Sequence, residues 1–421
     1  MADKDPKKKC DFCDRPRNEV NHLVGATDGP HICEGCIEEA SRAIAEVERK
    51  AESTSNVPLK KPREIMALLD EIVIGQEAAK RDMAIAIYKH FRRREVSKNG
   101  GVVLEGERVE IEKSNILLPG PSGSGKTLIA RAIARALDVP FYVADCNRLT
   151  QAGYVGDDPE SILQGLFADA QQNIERCEWG IIFLDEFDKL ARKSGRSPSG
   201  YRDVTGEGVQ QALLKLVEGH QVPVPRGHGT RAVSGVSPVD VIDTTNILFI
   251  AAGSFAGIEE LVDNRLNAST GIGFGREHAQ ERDKTDIYKN ITVEDVLEFG
   301  LIPETVGRFP ILTSTYELTE DELIRILIEP KNAICKQFRA MFSLDGIDLQ
   351  FEEEALRDIA KLAQKRETGA RALRTIMEDV LKPYSFDAPD SPDVSAIRIT
   401  AEAVANPGSA LIVRKAAAEN A

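Results

Sequence analysis

Short apolar runs alternate with segments of helical periodicity through the middle of the chain. The runs are too short to form helices, and an unbroken apolar run is typical of a strand that is buried on both faces of a parallel sheet. The predicted strands are residues 115–118, 141–144, 180–184 and 246–251. The predicted helices are residues 77–96, 126–137, 159–177 and 207–218. Strands that alternate with helices in this way predict an α/β domain whose parallel sheet is covered on both faces.

Two segments interrupt this alternation. Residues 192–203 are rich in Gly and Ser, and residues 222–243 are rich in Pro, Gly and Val. Loops of this length inside a compact domain are usually functional or disordered. We therefore expect two long loops in the large domain.

The character of the sequence changes beyond Arg308. A smaller, mainly helical domain is expected there, because helices are predicted near residues 319–328, 331–342, 352–365 and 369–381, with a short strand around 347–351. Residues 52–58 have the composition of a flexible linker. The expected organisation is an N-terminal module (1–50), a linker (51–61), a large α/β domain (62–310), a small C-terminal domain (311–414) and a flexible tail (415–421).

Composition and charge exclude several classes of protein. The formal net charge is −14, which argues against a role in coating nucleic acid, because that role requires a clustered cationic surface. No run approaches the roughly 18 apolar residues of a membrane span. The basic segment Met1–Lys9 lacks the apolar stretch of a signal peptide. We therefore expect a cytoplasmic protein without membrane or direct nucleic-acid partners.

Four of the seven cysteines lie within the first 36 residues, as two C-x₂-C pairs. Pairs at this separation are typical of a tetrahedral zinc site with four thiolate ligands. Disulfides are disfavoured in a reducing cytosol, and a redox C-x-x-C needs a thioredoxin-like setting that this segment lacks. We expect structural Zn²⁺ bound by Cys10, Cys13, Cys33 and Cys36.

Two nearby histidines and the three other cysteines are not expected to bind metal. His22 and His31 lie close to the zinc cysteines in sequence, but four thiolates already complete a tetrahedral shell, so neither histidine is expected to bind the metal. Cys146, Cys177 and Cys335 are scattered, and we expect them to be ordinary buried thiols.

A glycine-rich loop follows the strand predicted at 115–118 and precedes the helix predicted at 126–137. This context is typical of a phosphate-binding P-loop, in which backbone N–H groups and the helix N-terminus face the anion. Lys126 would neutralise the β- and γ-phosphates of a nucleotide, and Thr127 would bind Mg²⁺. The predicted nucleotide-contacting residues are Gly120, Pro121, Ser122, Gly123, Ser124, Gly125, Lys126 and Thr127.

The strand predicted at 180–184 leads into two adjacent carboxylates, Asp185 and Glu186. Asp185 would hold Mg²⁺ through water, and Glu186 would orient and deprotonate the water that attacks ATP. An acidic turn in solvent is the alternative, and the upstream P-loop argues against it. Arg308 and Arg371 are candidates for stabilising charge on the transferred phosphoryl group. Taken alone, either arginine would be a surface or ion-pair residue.

Together these segments resemble the AAA+ ATPases, and further motifs resemble the ClpX family within them. The matching segments span the chain and include Ile72–Gln76, Gly153–Gly156, Arg202–Gln211, Gly271–Gly275, Leu301–Glu304 and Gly369–Arg371. The resemblance implies a zinc-binding domain, an AAA+ P-loop module and a small C-terminal domain. It also implies an ATP-dependent unfoldase that recognises protein substrates and threads them into the ClpP peptidase, with chaperone activity in the absence of ClpP. The implied partners are further copies of the chain in a homohexamer, ClpP, and adaptor proteins at the zinc domain.

The resemblance assigns roles around the nucleotide. Val73 and Ile74 would line the adenine pocket, and Ser254 would be a candidate polar sensor. Arg308 would be a finger that reaches into the site of the neighbouring subunit. Arg371 would be the sensor that couples the small domain to the state of the bound nucleotide.

The resemblance also assigns roles in two loops. Tyr154 and Val155 would line the pore and grip the substrate, and residues 192–207 would form a second pore loop. Exposed apolar side chains of this kind normally mark a binding surface. Ile272, Gly273 and Phe274 would be a peg that docks on ClpP. The alternative for each loop is that its large side chains pack on their own domain.

The chain departs from the family at the expected pore entrance. Arg226, His228 and Arg231 retain positive character there without forming the family's Arg-Lys-His motif, which leaves the preference for substrate tags open. Two other functions also remain open. One is an AAA+ remodeller that works without a peptidase, and the other is a nonenzymatic zinc adaptor, against which the intact nucleotide-site residues argue.

Overall fold

The computed structural model describes residues 9–25, 29–41, 59–98, 101–105, 107–109, 111–150, 157–192, 206–225, 239–269, 284–366 and 368–414. The chain divides after Pro58 into two compact units. The first unit contains an antiparallel pair, β1 (Leu23–Gly25) and β2 (His31–Cys33), followed by helix α1 at residues 34–41. The buried centre of this unit is formed by Cys10, Val20 and Cys33. With so few buried apolar residues in its described segments, 9–25 and 29–41, this part of the chain needs another source of stability.

The second unit begins with a helical and α/β part. Its elements in chain order are α2 (Pro62–Asp70), α3 (Glu77–Lys98), β3 (Val102–Leu104), β4 (Glu107–Val109), β5 (Ile116–Pro119), α4 (Lys126–Leu137), β6 (Phe141–Asp145), α5 (Ser161–Asp169), α6 (Ile174–Cys177), β7 (Ile181–Asp185), α7 (Glu207–Glu218), β8 (Gln221–Pro225), β9 (Val239–Asp243), β10 (Leu248–Gly253), α8 (Ile258–Ser269), α9 (Lys284–Lys289), α10 (Val293–Phe299), α11 (Pro303–Gly307) and β11 (Ile311–Leu312). Within the described residues, no helix is both long and apolar enough to span a membrane.

Five of these strands form a parallel sheet with the order β11–β5–β10–β7–β6. Successive residues of β10 alternate between its two faces: Phe249 and Ala251 join one apolar cluster, whereas Leu248, Ile250 and Ala252 join the other. Helices α5, α7 and α8 contribute to the first cluster, and α2, α3 and α4 contribute to the second. The predicted α/β class with a doubly covered parallel sheet is therefore confirmed.

The four predicted strands are present, with ends that differ by one or two residues, and the sheet has a fifth strand, β11, that the sequence did not reveal. The single helix predicted at 159–177 is wrong. The chain forms α5 and α6 instead, because Gln171 and Gln172 adopt left-handed conformations, with φ of 56° and 58°, that end the first helix. The long loop predicted at 222–243 is wrong at both ends, where β8 and β9 pair as an antiparallel hairpin.

The second unit ends in a smaller part with its own apolar cluster. Its helices are α12 (Glu320–Ile328), α13 (Ile334–Leu344), α14 (Glu353–Lys365), α15 (Ala370–Asp387) and α16 (Ala401–Ala405). Its sheet contains β12 (Asp348–Phe351) parallel to β13 (Val394–Ile399), which pairs antiparallel with β14 (Leu411–Arg414). The four predicted helices and the predicted strand are present. Two strands were missed, and α15 runs beyond its predicted end at residue 381.

Candidate nucleotide site and metal centre

The glycine-rich loop connects β5 to α4 at the carboxyl edge of the parallel sheet. Gly125 is the N-terminal capping residue of α4 and has φ of 99°, and a Cβ atom added there would meet nothing within 4 Å. The space beside Gly125 is therefore open at the start of a twelve-residue helix. Because the unpaired N–H groups of a helix N-terminus attract anions, this position fits the phosphate groups of a nucleotide.

Lys126 is the first residue of α4, and its ammonium group lies inside the loop. Its Nζ donates hydrogen bonds to the carbonyl oxygens of Gly120 (2.7 Å) and Pro121 (2.8 Å). Burial lowers the pKa of Lys126 to about 8, while the nearby charge of Asp185 opposes the shift and that of Arg371 adds to it. The charges of Asp185 and Arg371 therefore both act on the Lys126 ammonium group.

Thr127 and Asp185 supply the oxygen ligands expected for Mg²⁺. Asp185 ends β7, the second neighbour of β5 in the sheet, and the Thr127 hydroxyl lies 3.5 Å from its Oδ2 atom. A hydroxyl and a carboxylate at this separation are hard oxygen donors of the kind that Mg²⁺ prefers, and Mg²⁺ usually retains several waters. The residues present therefore fit the cation.

Glu186 is held by a residue that the sequence did not reveal. The Glu186 backbone is left-handed, with φ of 56°, and its N–H donates to Asp185 Oδ1 at 3.0 Å. Asn147 lies in the 3-10 turn after the neighbouring strand β6, and its Nδ2 atom donates to the Glu186 carboxylate. This contact fixes the orientation of the carboxylate next to Asp185. The available signal was a polar residue just after a predicted strand, which is too common to single out Asn147.

Ser254 follows β10, between β5 and β7, but its polar groups are directed to Asp188. The Ser254 N–H and Oγ each lie 3.1 Å from a carboxylate oxygen of the buried Asp188. Asp188 is one of the charges that raise the pKa of Lys126. The sensor role of Ser254 stays a prediction.

The smaller part of the unit contacts the P-loop directly at the start of α15. The Ala370 N–H donates to the Gly123 carbonyl oxygen at 3.3 Å. A Cβ atom on Gly123, where φ is 73°, would come within 2.1 Å of the Thr368 carbonyl oxygen. Glycine is required here because of this close approach. Arg371 is thereby placed one residue beyond a backbone contact with the phosphate-binding loop.

The segment that joins the two parts of the unit makes further contacts. Thr315 is fully buried, and its hydroxyl lies 2.7 Å from that of Ser124 in the P-loop. Tyr316 exchanges three hydrogen bonds with the buried Gln76: Gln76 N–H to Tyr316 Oη (3.0 Å), Gln76 Nε2 to Tyr316 O (2.8 Å) and Tyr316 N–H to Gln76 Oε1 (3.0 Å). These contacts fix the turn that follows Val73 and Ile74, both of which are buried.

Arg308 does not lie with the residues that surround the P-loop. Its carbonyl oxygen accepts a hydrogen bond from Asn115, which immediately precedes β5, whereas the P-loop follows the other end of that strand. The strand rises roughly 3.3 Å per residue, so about 13 Å separates the two ends. The structure therefore brings together the P-loop, Asp185, Glu186 and Arg371, and places Arg308 at the opposite edge of the sheet.

The predicted substrate and docking loops lie outside the described residues. This applies to Tyr154 and Val155, to residues 193–205 of the second predicted pore loop, and to the segment Ile272, Gly273 and Phe274. It applies equally to the pore-entrance residues Arg226, His228 and Arg231. Their roles stay predictions.

The four N-terminal cysteines form a compact cluster, with all sulfur atoms within 4.8 Å of one another. The Sγ atoms of Cys10 and Cys36 are 3.8 Å apart, and those of Cys13 and Cys33 are 3.6 Å apart. Four sulfurs at 2.3 Å from a central zinc would be about 3.8 Å apart in a tetrahedron, so the geometry fits Zn²⁺. In the described part of the chain, neither His22 nor His31 belongs to such a cluster.

The other three cysteines also agree with the sequence interpretation. Cys146, Cys177 and Cys335 are buried and free. Burial raises the pKa of each thiol, to about 12 for Cys177 and Cys335. They are therefore neutral, packed side chains.

Comparison with protein families divides the chain in the same order as its folded parts. A ClpX C4-type zinc finger matches residues 8–46, an AAA domain (Cdc48 subfamily) matches residues 111–312, and the C-terminal D2-small domain of ClpB protein matches residues 318–394. The first match agrees with the four-thiol cluster. The second covers the P-loop and the Asp185–Glu186 strand.

Two curated relatives match almost the whole chain. The chain is 44% identical over 398 residues to the ATP-dependent Clp protease ATP-binding subunit ClpX of Azotobacter vinelandii, covering 93% of this chain and 89% of the relative. It is 43% identical over 404 residues to the protein with the same description from Treponema denticola, covering 95% of this chain and 94% of that relative. The chain therefore belongs to the ClpX family of AAA+ ATPases.

Proposed function

We propose that the protein is an ATP-driven protein unfoldase and translocase that acts as the specificity component of a Clp protease. It recognises protein substrates, unfolds them and threads them into the ClpP peptidase, and it acts as a chaperone when ClpP is absent. It works in the cytoplasm as a homohexamer, with adaptor proteins at the zinc domain. The relatives described above are named as ATP-binding subunits of Clp proteases.

The observation that carries this proposal is a pair of hydrogen bonds from the P-loop, one to the small C-terminal part and one to the segment that leads to it. Gly123 accepts from Ala370 at the start of α15, and Ser124 is bonded to Thr315 in the connecting segment. A movement of the phosphate-binding loop is therefore transmitted both to the connecting segment and to the start of α15 in the small part. This is the coupling that converts ATP hydrolysis into movement.

The hydrolytic step assigns one task to each group near Lys126. Lys126 neutralises the phosphate oxygens, and Glu186, oriented by Asn147, accepts a proton from the water that attacks the γ-phosphorus. The bond from phosphorus to the β–γ bridging oxygen breaks, and ADP and phosphate leave. Mg²⁺, held at Thr127 and Asp185, supplies further neutralisation of negative charge when bound.

Arg308 supplies the missing cation from another copy of the chain. It lies at the opposite edge of the sheet from the P-loop of its own subunit. A cation that stabilises the transferred phosphoryl group must contact that group, so Arg308 acts on the nucleotide of a neighbouring subunit. A ring of subunits satisfies this requirement for every site.

Polypeptide handling falls to the loops assigned by family resemblance. Tyr154 and Val155 grip the chain in the pore by bulk and apolar contact, which tolerates many sequences. Ile272, Gly273 and Phe274 insert into apolar clefts of ClpP. Arg226, His228 and Arg231 give the pore entrance positive character, although the family's Arg-Lys-His motif is absent.

The decisive experiment is degradation of a tagged, stably folded protein with ATP, in the presence and absence of ClpP. We expect degradation only with both. Glu186→Gln should bind ATP and abolish degradation, Tyr154→Ala should retain ATP hydrolysis and lose unfolding, and deletion of 272–274 should lose degradation while retaining unfolding. Unfolding without any degradation by the wild-type pair would instead support a remodeller that works without a peptidase.

A further inference from the structure

The backbone that carries Arg308 is held in place within its own subunit. Asn115 Nδ2 donates to the Arg308 carbonyl oxygen at 2.9 Å, and the next residue, Phe309, is buried against Phe187 with ring centroids 5.6 Å apart. Asn115 is itself buried and accepts from the Phe249 N–H at 3.2 Å. The backbone that carries Arg308 is therefore tied to the beginnings of β5 and β10.

The guanidinium group has a separate partner, Glu218, which is the last residue of α7. Arg308 Nε and Nη2 lie 2.8 Å and 2.7 Å from Glu218 Oε1. Because both contacts involve the Nε and Nη2 side of the planar group, Glu218 fixes the rotation of the guanidinium and leaves Nη1 directed elsewhere.

The position of Glu218 depends on how α7 is anchored. Lys113 Nζ donates to the Val217 carbonyl oxygen (3.1 Å) in the last turn of α7 and to the Thr244 carbonyl oxygen (3.0 Å). Lys113 therefore caps the C-terminal turn of the helix. Near the other end, the fully buried Gln210 donates to Leu190 O (2.7 Å) and accepts from the Ile302 N–H (3.0 Å).

These hydrogen bonds connect α7 both to the segment near Glu186 and to the segment near Arg308. Leu190 ends the 3-10 turn that follows Glu186, and Ile302 is the N-terminal capping residue of α11, the helix that leads to Arg308. The same helix is thus fixed to the turn beyond the proposed general base and to the segment carrying the arginine. Its last residue presents the carboxylate to Arg308.

We propose that Glu218 is a positioning residue for Arg308, an inference that rests on the proposed role of Arg308 in the neighbouring subunit's site. A long arginine side chain samples many rotamers, and ordering it only when it meets the phosphate lowers the rate of the chemical step. Glu218 orders it beforehand. Because this ion pair is about half exposed, with 55% and 44% of the two side chains accessible, it is weak enough not to hold the arginine away from the phosphate.

The test uses the full-length protein in its assembled state. Glu218→Ala should lower kcat for ATP hydrolysis up to about fivefold, equivalent to about 1 kcal/mol of transition-state stabilisation, the upper end of what a half-exposed ion pair contributes. The Kd for a nonhydrolysable ATP analogue should change less than about twofold, since Glu218 contacts Arg308 and lies with it away from the P-loop of its own subunit. Glu218→Gln keeps the Oε1 acceptor and should recover part of the lost rate.

A double variant separates positioning from general damage. If Glu218 acts through Arg308, then Glu218→Ala combined with Arg308→Ala should hydrolyse ATP no more slowly than Arg308→Ala alone. The matched control is Glu329→Ala, which removes another carboxylate paired with an arginine, Arg325, at similar side-chain exposures of 44% and 51%. This control should leave kcat unchanged, and neither single glutamate variant should shift the unfolding midpoint appreciably.

The possible failures are distinguishable. A wild-type protein that neither hydrolyses ATP nor unfolds proteins refutes the proposed function and this inference together. Full activity of Arg308→Ala refutes the role of the arginine, and hence of Glu218, while leaving ATP-driven unfolding in place. An inactive Arg308→Ala with a fully active Glu218→Ala, or additive losses in the double variant, overturns the positioning role alone.

Discussion

The two compact units of the chain are stabilised in different ways. In the first, the buried centre is Cys10, Val20 and Cys33, and the dominant feature is a cluster of four thiols. In the second, apolar clusters line both faces of the parallel sheet, and another fills the small C-terminal part. Stability is therefore concentrated at one metal centre in the first unit and distributed over many apolar contacts in the second.

The largest expected effect comes from removing one zinc ligand. Cys33→Ser should release the metal and unfold the first unit, because structural zinc supplies about 10–16 kcal/mol in comparable peptides. Metal analysis should find one zinc per wild-type chain and a much lower content in the variant. Amides within residues 9–25 and 29–41 should lose their protection from exchange, while those of the second unit keep theirs.

Cys335→Ser is the matched substitution in the other unit. Cys335 is buried in the small C-terminal part and lies outside the four-thiol cluster. We expect full zinc content and a moderate loss of stability confined to that part. Loss of zinc from Cys335→Ser, or a folded metal-free Cys33→Ser module, would contradict the contrast between the units.

The second prediction applies one substitution to both units. Phe167 in α5 belongs to the buried cluster of the sheet, whereas Phe12 in the zinc module is 72% exposed. Phe167→Ala should destabilise the second unit by about 3–5 kcal/mol through lost burial and cavity formation. Phe12→Ala should change the stability of its unit by less than about 0.5 kcal/mol. Denaturant unfolding followed by amide exchange measures each, and comparable losses at the two sites would show that the zinc module also depends on apolar packing.

The third prediction concerns acid and His90, which is fully buried in α3 with its Nε2 atom 3.0 Å from the Asn246 carbonyl oxygen. Burial, followed by the charges of Lys113, Arg93 and Arg94, lowers the pKa of His90 to about 3 from an ordinary value of 6.5. The unfolded chain therefore takes up a proton near pH 6.5, while the folded protein does so only near pH 3. The stability that neutral His90 gives the folded protein is complete above pH 6.5 and is lost as the pH falls towards 3.

At pH 5 the protonation of His90 in the unfolded chain lowers the free energy of unfolding by about 2 kcal/mol relative to its value above pH 6.5. His90→Gln should therefore show a flatter pH dependence of the unfolding free energy between pH 6.5 and 4. The zinc module should respond to acid by another route, protonation of its thiolates, which zinc release measures separately and which His90→Gln should not alter. Identical pH curves for the variant and the wild type would show that His90 does not make the second unit acid-sensitive.

The contrast between the units also explains what the sequence could predict. The four cysteines and the P-loop are local patterns, and the buried strands are continuous apolar runs, so each was identified without knowledge of distant residues. The fifth strand, β11, has only two residues and therefore no detectable period. The break between α5 and α6 depends on left-handed conformations at two glutamines, a residue type that carries no turn signal.

The contacts that tune the nucleotide site were beyond sequence reasoning for a related reason. Gln76 and Tyr316 are 240 positions apart, and Arg308 and Glu218 are 90 apart. Asn147 meets Glu186 only because β6 and β7 are neighbours in the sheet. Each residue type is ordinary at its position, and its function comes from the fold that brings the partners together.

The smallest expected effect tests the polar contacts within the second unit. Thr315 is fully buried and its hydroxyl lies 2.7 Å from that of Ser124. Thr315→Val retains the shape and removes this hydrogen bond, while Ser124 keeps its bond to Pro121 O at 2.8 Å. The expected loss is about 1 kcal/mol of unfolding free energy, the usual net contribution of one hydrogen bond.

Thr315→Ser is the control for Thr315→Val, because it keeps the hydroxyl and removes only a methyl group. In a double-mutant cycle, Ser124→Ala and Thr315→Val should be non-additive by about the same 1 kcal/mol in denaturant unfolding. Full additivity would show that the hydroxyl pair contributes nothing beyond packing. A loss several times larger would show that a single polar contact at the P-loop stabilises the second unit as strongly as a large buried side chain such as Phe167 does, and the stability of this unit would then not rest on apolar contacts alone.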